Sequence, residues 1–365
     1  MARIPLAIGS GLDADGVVEL DASRFNRHTF WCGQSGSGKT YALGVLLEQL
    51  LLETALPLVV FDPNSDYVHL GRTHPEAPGH VGDHWSNLDV RVFAARDAEN
   101  PLLARFIDMT LPARAAVLRL DPIADAAEYN VLRQLEDEAG PQDGSRLAES
   151  LGDPARPDRQ QLLRRVLNLG VLDWDVWARG KAGVEDVVEQ RPDATVLDLG
   201  GFYSQEEPRA AALAVLDRLW ATRERREPVL LVVDEAHNLC PAEPRTPLAR
   251  ELVERFVQIA AEGRKFGLWL LMSTQRPDKL HPQVLSQCDN LCLMKTNGSA
   301  DLDRLAAYFS AVPRDLLDRA QHFGLGHALF SGGIVTEPTL ARMRQRWTPE
   351  GGSDVAVPVG PRGHG

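Results

Sequence analysis

The chain has 365 residues, with 51 acidic side chains against 39 lysines and arginines, and so a net charge of −12. A hydrophobic fraction of 44% and a charged fraction of 25% are typical of globular proteins. The acidic balance argues against a protein whose whole surface coats nucleic acid. It leaves open a protein that contacts DNA through a few loops.

No apolar run approaches the ~20 residues that span a bilayer, and the first residues lack the apolar core of a signal peptide. The sequence therefore predicts a cytoplasmic protein without membrane contact. The four cysteines, Cys32, Cys240, Cys288 and Cys292, are expected to be reduced. The last two have a C-x3-C spacing, but no second pair completes a zinc site.

The first predicted elements are a β hairpin and part of an α/β core. The hairpin falls in residues 1–25, with its turn at Asp13-Ala14-Asp15-Gly16. The core begins in residues 26–94, where a glycine-rich loop lies between a strand and an apolar helix. The predicted elements there are strands at 29–32, 58–61 and 90–93 and a helix at 40–53.

Residues 95–190 are rich in Ala, Leu, Arg and Glu, which predicts a helical subdomain inserted in the core. Its loops at 141–158 are expected to be solvated and mobile. The core resumes over 191–348, with a terminal hairpin at 326–335 that turns at Gly332-Gly333. A disordered tail is predicted for 349–365.

Continuous apolar strands alternate with helices in this second part of the core. The strands are predicted at 195–199, 229–233, 268–273 and 291–294, and the helices at 208–223, 248–261 and 301–309. This alternation indicates the α/β class, with a mostly parallel sheet covered on both faces.

The strongest motif matches G-x-x-x-x-G-K-[ST] and lies between a strand and a helix, as a P-loop requires. Its backbone N–H groups and the helix N-terminus would bind phosphates. Lys39 would reach the β and γ phosphates of ATP, and the Thr40 hydroxyl would bind Mg²⁺. The motif comprises Gly33, Gln34, Ser35, Gly36, Ser37, Gly38, Lys39 and Thr40.

A second motif is an apolar strand that ends in Asp234-Glu235, the Walker B pattern. Asp234 would support Mg²⁺, and Glu235 would polarise the attacking water. At the end of the next apolar strand, Gln275 is a candidate to sense the γ-phosphate or position the water. The alternative is that Gln275 only begins a polar loop.

Two further sites are candidates with open alternatives. In the turn at residues 262–267, Arg264 is a candidate arginine finger that would neutralise charge on the γ-phosphate of a neighbouring subunit. Lys265 is the second candidate. The alternative is that both charges are merely solvated. Asp62 ends the strand after the P-loop helix, where it serves either as an active-site carboxylate or as a turn former.

Two clusters are interpreted as surface features. His74, His80, Asp83 and His84 share one loop, but their irregular spacing favours a solvated loop over a metal site. The basic runs have no interleaved aromatic residues, so exposed helix faces are expected. These runs comprise Arg223, Arg225 and Arg226, and then Arg342, Arg344 and Arg346.

Four motifs in order resemble the HerA/FtsK superfamily of P-loop ATPases, and HerA-like ATPases in particular. They are the P-loop, the segment from Phe61 to Tyr67, the segment from Val233 to Leu239, and Gly263–Gly267 running into Thr274–Pro277. The continuation from Leu285 to Cys288 is similar as well. HerA-like proteins usually carry an N-terminal β-barrel, whereas a short hairpin precedes the P-loop here.

The resemblance implies a RecA-like core, a homo-oligomeric ring, most simply a hexamer, and ATP-driven translocation of double-stranded DNA. It supports Asp62 as an active-site carboxylate and Arg264 as an interface arginine. The HerA branch often works with a nuclease in DNA end processing or antiphage defence, and here such a nuclease would be a separately encoded protein. Two other functions stay open: a ring ATPase that moves protein in secretion or conjugation, and a nucleotide-controlled scaffold of a defence complex.

Overall fold

A computed structural model describes residues 3–138, 151–152 and 156–352. Within these residues, eleven strands form one sheet in the order β2-β1-β11-β10-β9-β3-β8-β7-β4-β6-β5. The strands are β1 Pro5–Gly11, β2 Val17–Asp21, β3 His28–Cys32, β4 Leu58–Asp62, β5 Val90–Ala94, β6 Ala194–Asp198, β7 Val229–Val233, β8 Leu268–Thr274, β9 Cys288–Leu293, β10 His327–Ser331 and β11 Thr339–Met343.

The seven strands from β9 to β5 are parallel, and the four from β2 to β10 extend the sheet in antiparallel pairs. β3, β4 and β7 are buried at every position. Strands covered on both faces lose the alternation of polar and apolar residues. The uninterrupted apolar runs of the sequence therefore become central strands, and the predicted α/β class is confirmed.

Helices cover both faces of the sheet. One apolar core lies between the sheet and α1, and the other includes residues of α7 and α8. The helices are α1 Lys39–Glu53, α2 Gly79–Trp85, α3 Leu111–Val117, α4 Ala126–Glu138, α5 Gln160–Leu169, α6 Val184–Glu189, α7 Glu206–Ala221, α8 Pro247–Glu262, α9 Pro282–Leu285, α10 Ser299–Tyr308 and α11 Arg314–Arg319.

The inserted segment is helical, as predicted, and carries α3 to α6 between β5 and β6. Its buried residues, among them Phe106, Leu132 and Trp177, belong to the same apolar core as α7 and α8. The insertion therefore packs onto the sheet as an extension of one core. Most of the loop predicted to be mobile at 141–158 lies outside the described residues.

The predicted N-terminal hairpin is confirmed by the pairing of β1 with β2, and it joins the central sheet because β1 also pairs with β11. Two expectations for the C-terminal part need correction. The terminal hairpin is longer than predicted, and its second strand is β11 rather than residues 334–335. The disordered tail is wrong for 349–352, since Gly351 N–H donates to Asp66 O at 3.2 Å. Residues 353–365 lie outside the described part.

All four cysteines are buried and free. Among the described residues, no group of three or more His, Cys, Asp or Glu side chains is arranged to hold a metal ion. The expectation of a solvated histidine loop is wrong for three of its four residues, because His80, Asp83 and His84 lie in helix α2. They are not part of any such metal-binding group within the described residues. Within the same residues, no helix has the length and apolar character needed to cross a membrane.

Candidate nucleotide-binding site

The candidate site lies at the carboxyl edge of four neighbouring parallel strands. The P-loop follows β3, Gln275 follows β8, Asp234 and Glu235 follow β7, and the turn after Asp62 follows β4. β8 lies between β3 and β7, pairing Cys32 with Thr274 and Val233 with Met272. Sheet order thus brings together motifs that are up to about 240 residues apart, at the edge where α/β folds bind ligands.

The P-loop has the backbone conformation that its glycines allow. Gly36 and Gly38 have φ of 75° and 83°, in the left-handed region that disfavours residues with a Cβ. Gly38 is the N-cap of α1, which begins at Lys39. The N-terminus of α1 therefore follows directly from the loop, an arrangement that favours bound phosphate.

Lys39 makes the central contacts of the site. Its Nζ donates to Asp234 Oδ1 at 2.8 Å and to Ser273 Oγ at 3.0 Å, and lies 3.2 Å from Glu235 Oε1. The Lys39 side chain is only 6% exposed. Burial opposes its charge, but Asp234 and Glu235 outweigh burial and raise the pKa of Lys39. The predicted P-loop lysine and Walker B pair therefore form one buried charged cluster.

Glu235 adopts an unusual backbone conformation for a residue with a side chain, with φ of 41° and ψ of 48°. Such conformations concentrate at functional sites, where the surrounding structure holds them. One carboxylate oxygen, Oε1, faces Lys39. The other, Oε2, lies 3.3 Å from Nδ1 of His237, which is 2.9 Å from Thr274 Oγ1. His237 thus links the ends of β7 and β8.

The residues present fit a bound Mg²⁺ ion. Asp234 Oδ2 and Ser37 Oγ are buried and have no hydrogen-bond partner within the described residues. Carboxylate and hydroxyl oxygens are the ligands that Mg²⁺ prefers. Thr40 directly follows Lys39, whose ammonium group contacts the Asp234 carboxylate at 2.8 Å. Asp234 and Thr40, the predicted magnesium residues, therefore lie at one site with oxygen atoms available.

A cavity of about 850 Å³ opens over the P-loop. Gln275 and Glu235 line it on the side of β7 and β8, together with Gln34, Ser35, Gly36, Gly38, Lys39 and Thr40 of the P-loop. Gly33 and Ser37 are buried behind it. The structure therefore brings the predicted nucleotide-binding residues and two of the candidate catalytic residues to one cavity.

Asp62 occupies a different position. Its carboxylate is buried and accepts hydrogen bonds from the backbone N–H groups of Asn64, Asp66 and Tyr67 at 3.4, 3.0 and 2.8 Å. Burial raises the pKa of Asp62 to about 7. These contacts favour the turn-forming alternative, in which Asp62 shapes the loop that presents Asn64 and Asp66 to the cavity.

Arg264 lies at the opposite edge of the sheet from this cavity. It precedes β8, whereas Gln275 directly follows that strand, and seven residues of strand span about 20 Å. Arg264 Nη1 donates to Asp289 Oδ2 at 2.7 Å, and its side chain is 35% exposed. Arg264 therefore cannot reach the nucleotide cavity of its own chain.

One wall of the cavity was not predicted from the sequence. This wall consists of Tyr41, Leu325, Gly326, Arg342, Met343, Arg344, Gln345, Glu350 and Gly352. The expectation of exposed helix faces is wrong for the second basic run: Arg342 lies in β11, Arg344 and Arg346 follow that strand, and Arg346 is 2% exposed. A charge pattern in the sequence could have indicated this wall. Glu48 interrupts an apolar stretch of α1, and the arginines of 342–346 are cations that could pair with it.

Comparison with known proteins identifies the family of the chain. Residues 6–219, more than half of the chain, match the family described as helicase HerA, central domain. The chain belongs to the HerA family. It is 32% identical to the DNA double-strand break repair helicase HerA of Pyrococcus furiosus, over 89% of this chain and 67% of that protein.

A second HerA relative, the probable DNA double-strand break repair helicase HerA of Methanocaldococcus jannaschii, is 31% identical over 36% of this chain and 25% of its own length. The chain spans between 25% and 70% of the length of the curated relatives that it matches. Among solved structures, VirB4 of Thermoanaerobacter pseudethanolicus superposes with a TM-score of 0.65 at 17% identity. That likeness covers 93% of this chain and 96% of VirB4, and it shows the RecA-like P-loop ATPase fold.

Proposed function

We propose that the chain is a Mg²⁺-dependent ATPase whose subunits form a ring that moves along double-stranded DNA. The observation that carries the ATPase is the convergence of Lys39, Asp234, Glu235 and Gln275 at the P-loop cavity. The reaction converts ATP and water to ADP and phosphate. HerA family membership supports the coupling of this reaction to DNA.

Each residue has a distinct role in this proposal. Lys39 binds the β and γ phosphates, which compete with Asp234 for the Lys39 ammonium group. Glu235 accepts the proton of the attacking water, and Gln275 orients that water or senses the γ-phosphate. Asp234 and Thr40 hold Mg²⁺, which neutralises charge on the phosphate oxygens when bound.

The position of Arg264 supports the ring. A side chain at the amino end of β8 is about 20 Å from its own cavity. The same side chain can serve the cavity of a neighbouring copy, where a guanidinium would neutralise charge that develops on the γ-phosphate. The site is then complete only at a subunit interface. A closed ring of identical subunits, most simply a hexamer, gives every cavity such a neighbour.

The proposed cargo is duplex DNA, because two HerA relatives are named as double-strand break repair helicases. With a net charge of −12, such a ring would bind DNA through a few cations at its pore. Each phosphate that is neutralised releases counterions, so affinity would fall with a log–log salt slope of about −0.9 per phosphate contacted. Few contacts per subunit imply a modest slope.

The test measures ATP hydrolysis and DNA binding across salt concentrations, with duplex DNA, single-stranded DNA or none, alongside the mass in solution. We expect duplex DNA to stimulate hydrolysis at low salt, and the Glu235→Gln variant with ATP to bind DNA best. Glu243→Gln, an exposed residue outside the cavity, is the matched control.

Three results would contradict different parts of the proposal. Equal hydrolysis in all three conditions, without DNA binding at low salt, would exclude the DNA motor and favour protein cargo. Full hydrolysis by a strictly monomeric protein would exclude the ring. Absence of hydrolysis under every condition, in a protein that binds ATP, would favour a nucleotide-controlled scaffold.

A further inference from the structure

A buried carboxylate in the middle of the P-loop helix has no part in the chemistry described above. Glu48 of α1 is 0% exposed, although a charge taken out of water is costly unless it is fully partnered. Its partners all come from one segment. Trp347 N–H, Thr348 N–H and the Thr348 hydroxyl donate to Oε1 at 2.8, 2.7 and 2.8 Å, and Arg344 Nη2 donates to Oε2 at 3.0 Å.

We call residues 344–352, which include these donors, the C-terminal strap. The strap crosses α1 at close range, because a Cβ on Gly44 would lie 2.5 Å from Arg346 Nε. Tyr41 Oη accepts from Arg346 N–H at 2.6 Å. The side chain of Arg346 is 1% exposed, and its Nε donates to Thr348 Oγ1 at 3.0 Å. The helix surface and the strap are thus fitted to each other.

The far end of the strap reaches the turn after β4. Arg346 Nη2 and Gly351 N–H both donate to Asp66 O, at 3.4 and 3.2 Å. A Cβ on Gly351 would lie 1.7 Å from Ser65 O, so that position accepts only glycine without a shift of the backbone. The strap is therefore fixed at both ends, by α1 and by the β4 turn.

One side of this fixed segment faces the nucleotide cavity. Arg344, Gln345, Glu350 and Gly352 line it, next to Arg342 at the end of β11 and Tyr41 in the first turn of α1. Glu235 and Gln275 line the cavity on the side of β7 and β8, where the γ-phosphate is expected. A triphosphate on the P-loop leaves the ribose and base to extend beyond Thr40.

We propose that the C-terminal strap forms the binding site for the ribose and base of the nucleotide, and that Glu48 is the positioning residue that holds the strap there. This inference rests on the proposed binding of ATP. The Arg344 guanidinium is held in place by Glu48 and by the Trp347 ring, because its Cζ lies 3.4 Å from the ring centroid and its Nη2 donates to Glu48 Oε2. Guanidinium planes and tyrosine rings stack on bases, and the Gln345 amide has both donors and acceptors for a ribose or purine edge.

The test compares two ligands with Mg²⁺ by isothermal titration calorimetry on the full chain. Inorganic tripolyphosphate probes the P-loop alone, and the non-hydrolysable analogue AMP-PCP adds the adenosine moiety. The variants are Arg344→Ala, Glu48→Gln and the double variant Arg342→Ala/Gln345→Ala. The double variant changes two exposed side chains, so it preserves the buried contacts of the strap. Arg304→Ala, an exposed arginine outside the cavity, is the control.

We expect the strap variants to lower AMP-PCP affinity by about tenfold or more, while their affinity for tripolyphosphate stays within about twofold of the wild type. Lys39→Ala should lose both ligands, and Arg304→Ala should change neither. The ratio of the two affinities distinguishes a strap that binds the nucleoside from one that only stabilises α1. If the strap only stabilised α1, its variants would lower the affinity for both ligands equally.

Wild-type affinity of the double variant for AMP-PCP would overturn the inference, and so would an equal loss of both ligands in Arg344→Ala and Glu48→Gln. In either case the proposed ATPase function would stand. A wild-type chain that bound neither ligand would overturn the proposed function and, with it, this inference.

Discussion

The ammonium group of Lys39 lies 2.8 Å from Asp234 Oδ1, in a contact that joins the P-loop to the end of β7 across 195 positions of sequence. Asp234 is 0% exposed and Lys39 is 6% exposed. Ser273 Oγ completes the group by donating to the same carboxylate oxygen at 2.7 Å. In the proposed function, this ion pair would couple phosphate binding by Lys39 to metal binding by Asp234.

The first prediction concerns this pair. Lys39→Met should lower the free energy of unfolding by about 3 kcal/mol or more, because it leaves the Asp234 carboxylate buried without its cation. Adding Asp234→Asn should recover most of that loss, since the uncompensated charge is removed. Urea denaturation of both single variants and the double variant measures the coupling. Additive losses would show that the pair does not stabilise the fold.

The second prediction concerns hydrolysis. Glu235→Gln should slow turnover by about a hundredfold or more, because an amide cannot accept the proton of the attacking water. Nucleotide affinity should stay close to that of the wild type, since glutamine retains the backbone conformation and one carbonyl oxygen near Lys39. Steady-state hydrolysis and calorimetric binding measure the two effects, with Glu243→Gln as control. A wild-type rate in Glu235→Gln would rule out this role.

The third prediction concerns Arg264. Alone, Arg264→Ala should lose about 10³-fold in turnover, the scale of an arginine finger. Mixing it with Lys39→Ala subunits should restore part of the activity, because each variant supplies the group that the other lacks at a shared interface. The control is Lys265→Ala, the neighbouring cation, which should retain turnover. If confirmed subunit exchange gave no recovery at any ratio, Arg264 would not act between subunits.

The fourth prediction concerns pH. His28 is buried at the start of β3, accepts from Leu270 N–H through Nδ1 at 2.9 Å, and donates from Nε2 to Ala260 O at 3.0 Å. Burial lowers the pKa of His28 to about 4, from its usual 6.5. The unfolded chain therefore binds the proton first as pH falls, so the folded state loses stability between pH 6.5 and 4.

At ~1.4 kcal/mol per pH unit, the loss assigned to His28 totals about 3 kcal/mol. Urea denaturation of the wild type and of His28→Gln across this pH range measures this loss. The difference between their free energies of unfolding should change steadily as the pH falls. Asp62, whose pKa is raised to about 7, shifts stability in the opposite direction in both proteins and cancels from that difference. A pH-independent difference would contradict the assignment to His28.

The sequence by itself determined the α/β class, the positions of the central strands and the core of the site. Runs such as 229–233 are apolar at every position, as in strands buried on both faces, and their alternation with helices indicates a parallel sheet. The P-loop and the Asp234-Glu235 pair were equally local, because phosphate binding needs glycines and a helix start within eight consecutive residues.

The tertiary structure alone decided the roles that depend on distant partners. In the sequence, Asp62 is an acidic residue at the end of a strand, which is compatible with either role. In the structure, three backbone N–H groups donate to its carboxylate, and these contacts favour the role of turn former. From the sequence, Arg344 and Arg346 are expected to be solvated cations. In the structure, they contact the buried carboxylate of Glu48 in α1, almost 300 positions away. Chain separation hides such pairs, because a charge is stabilised by the groups near it in space and the sequence records only its neighbours along the chain.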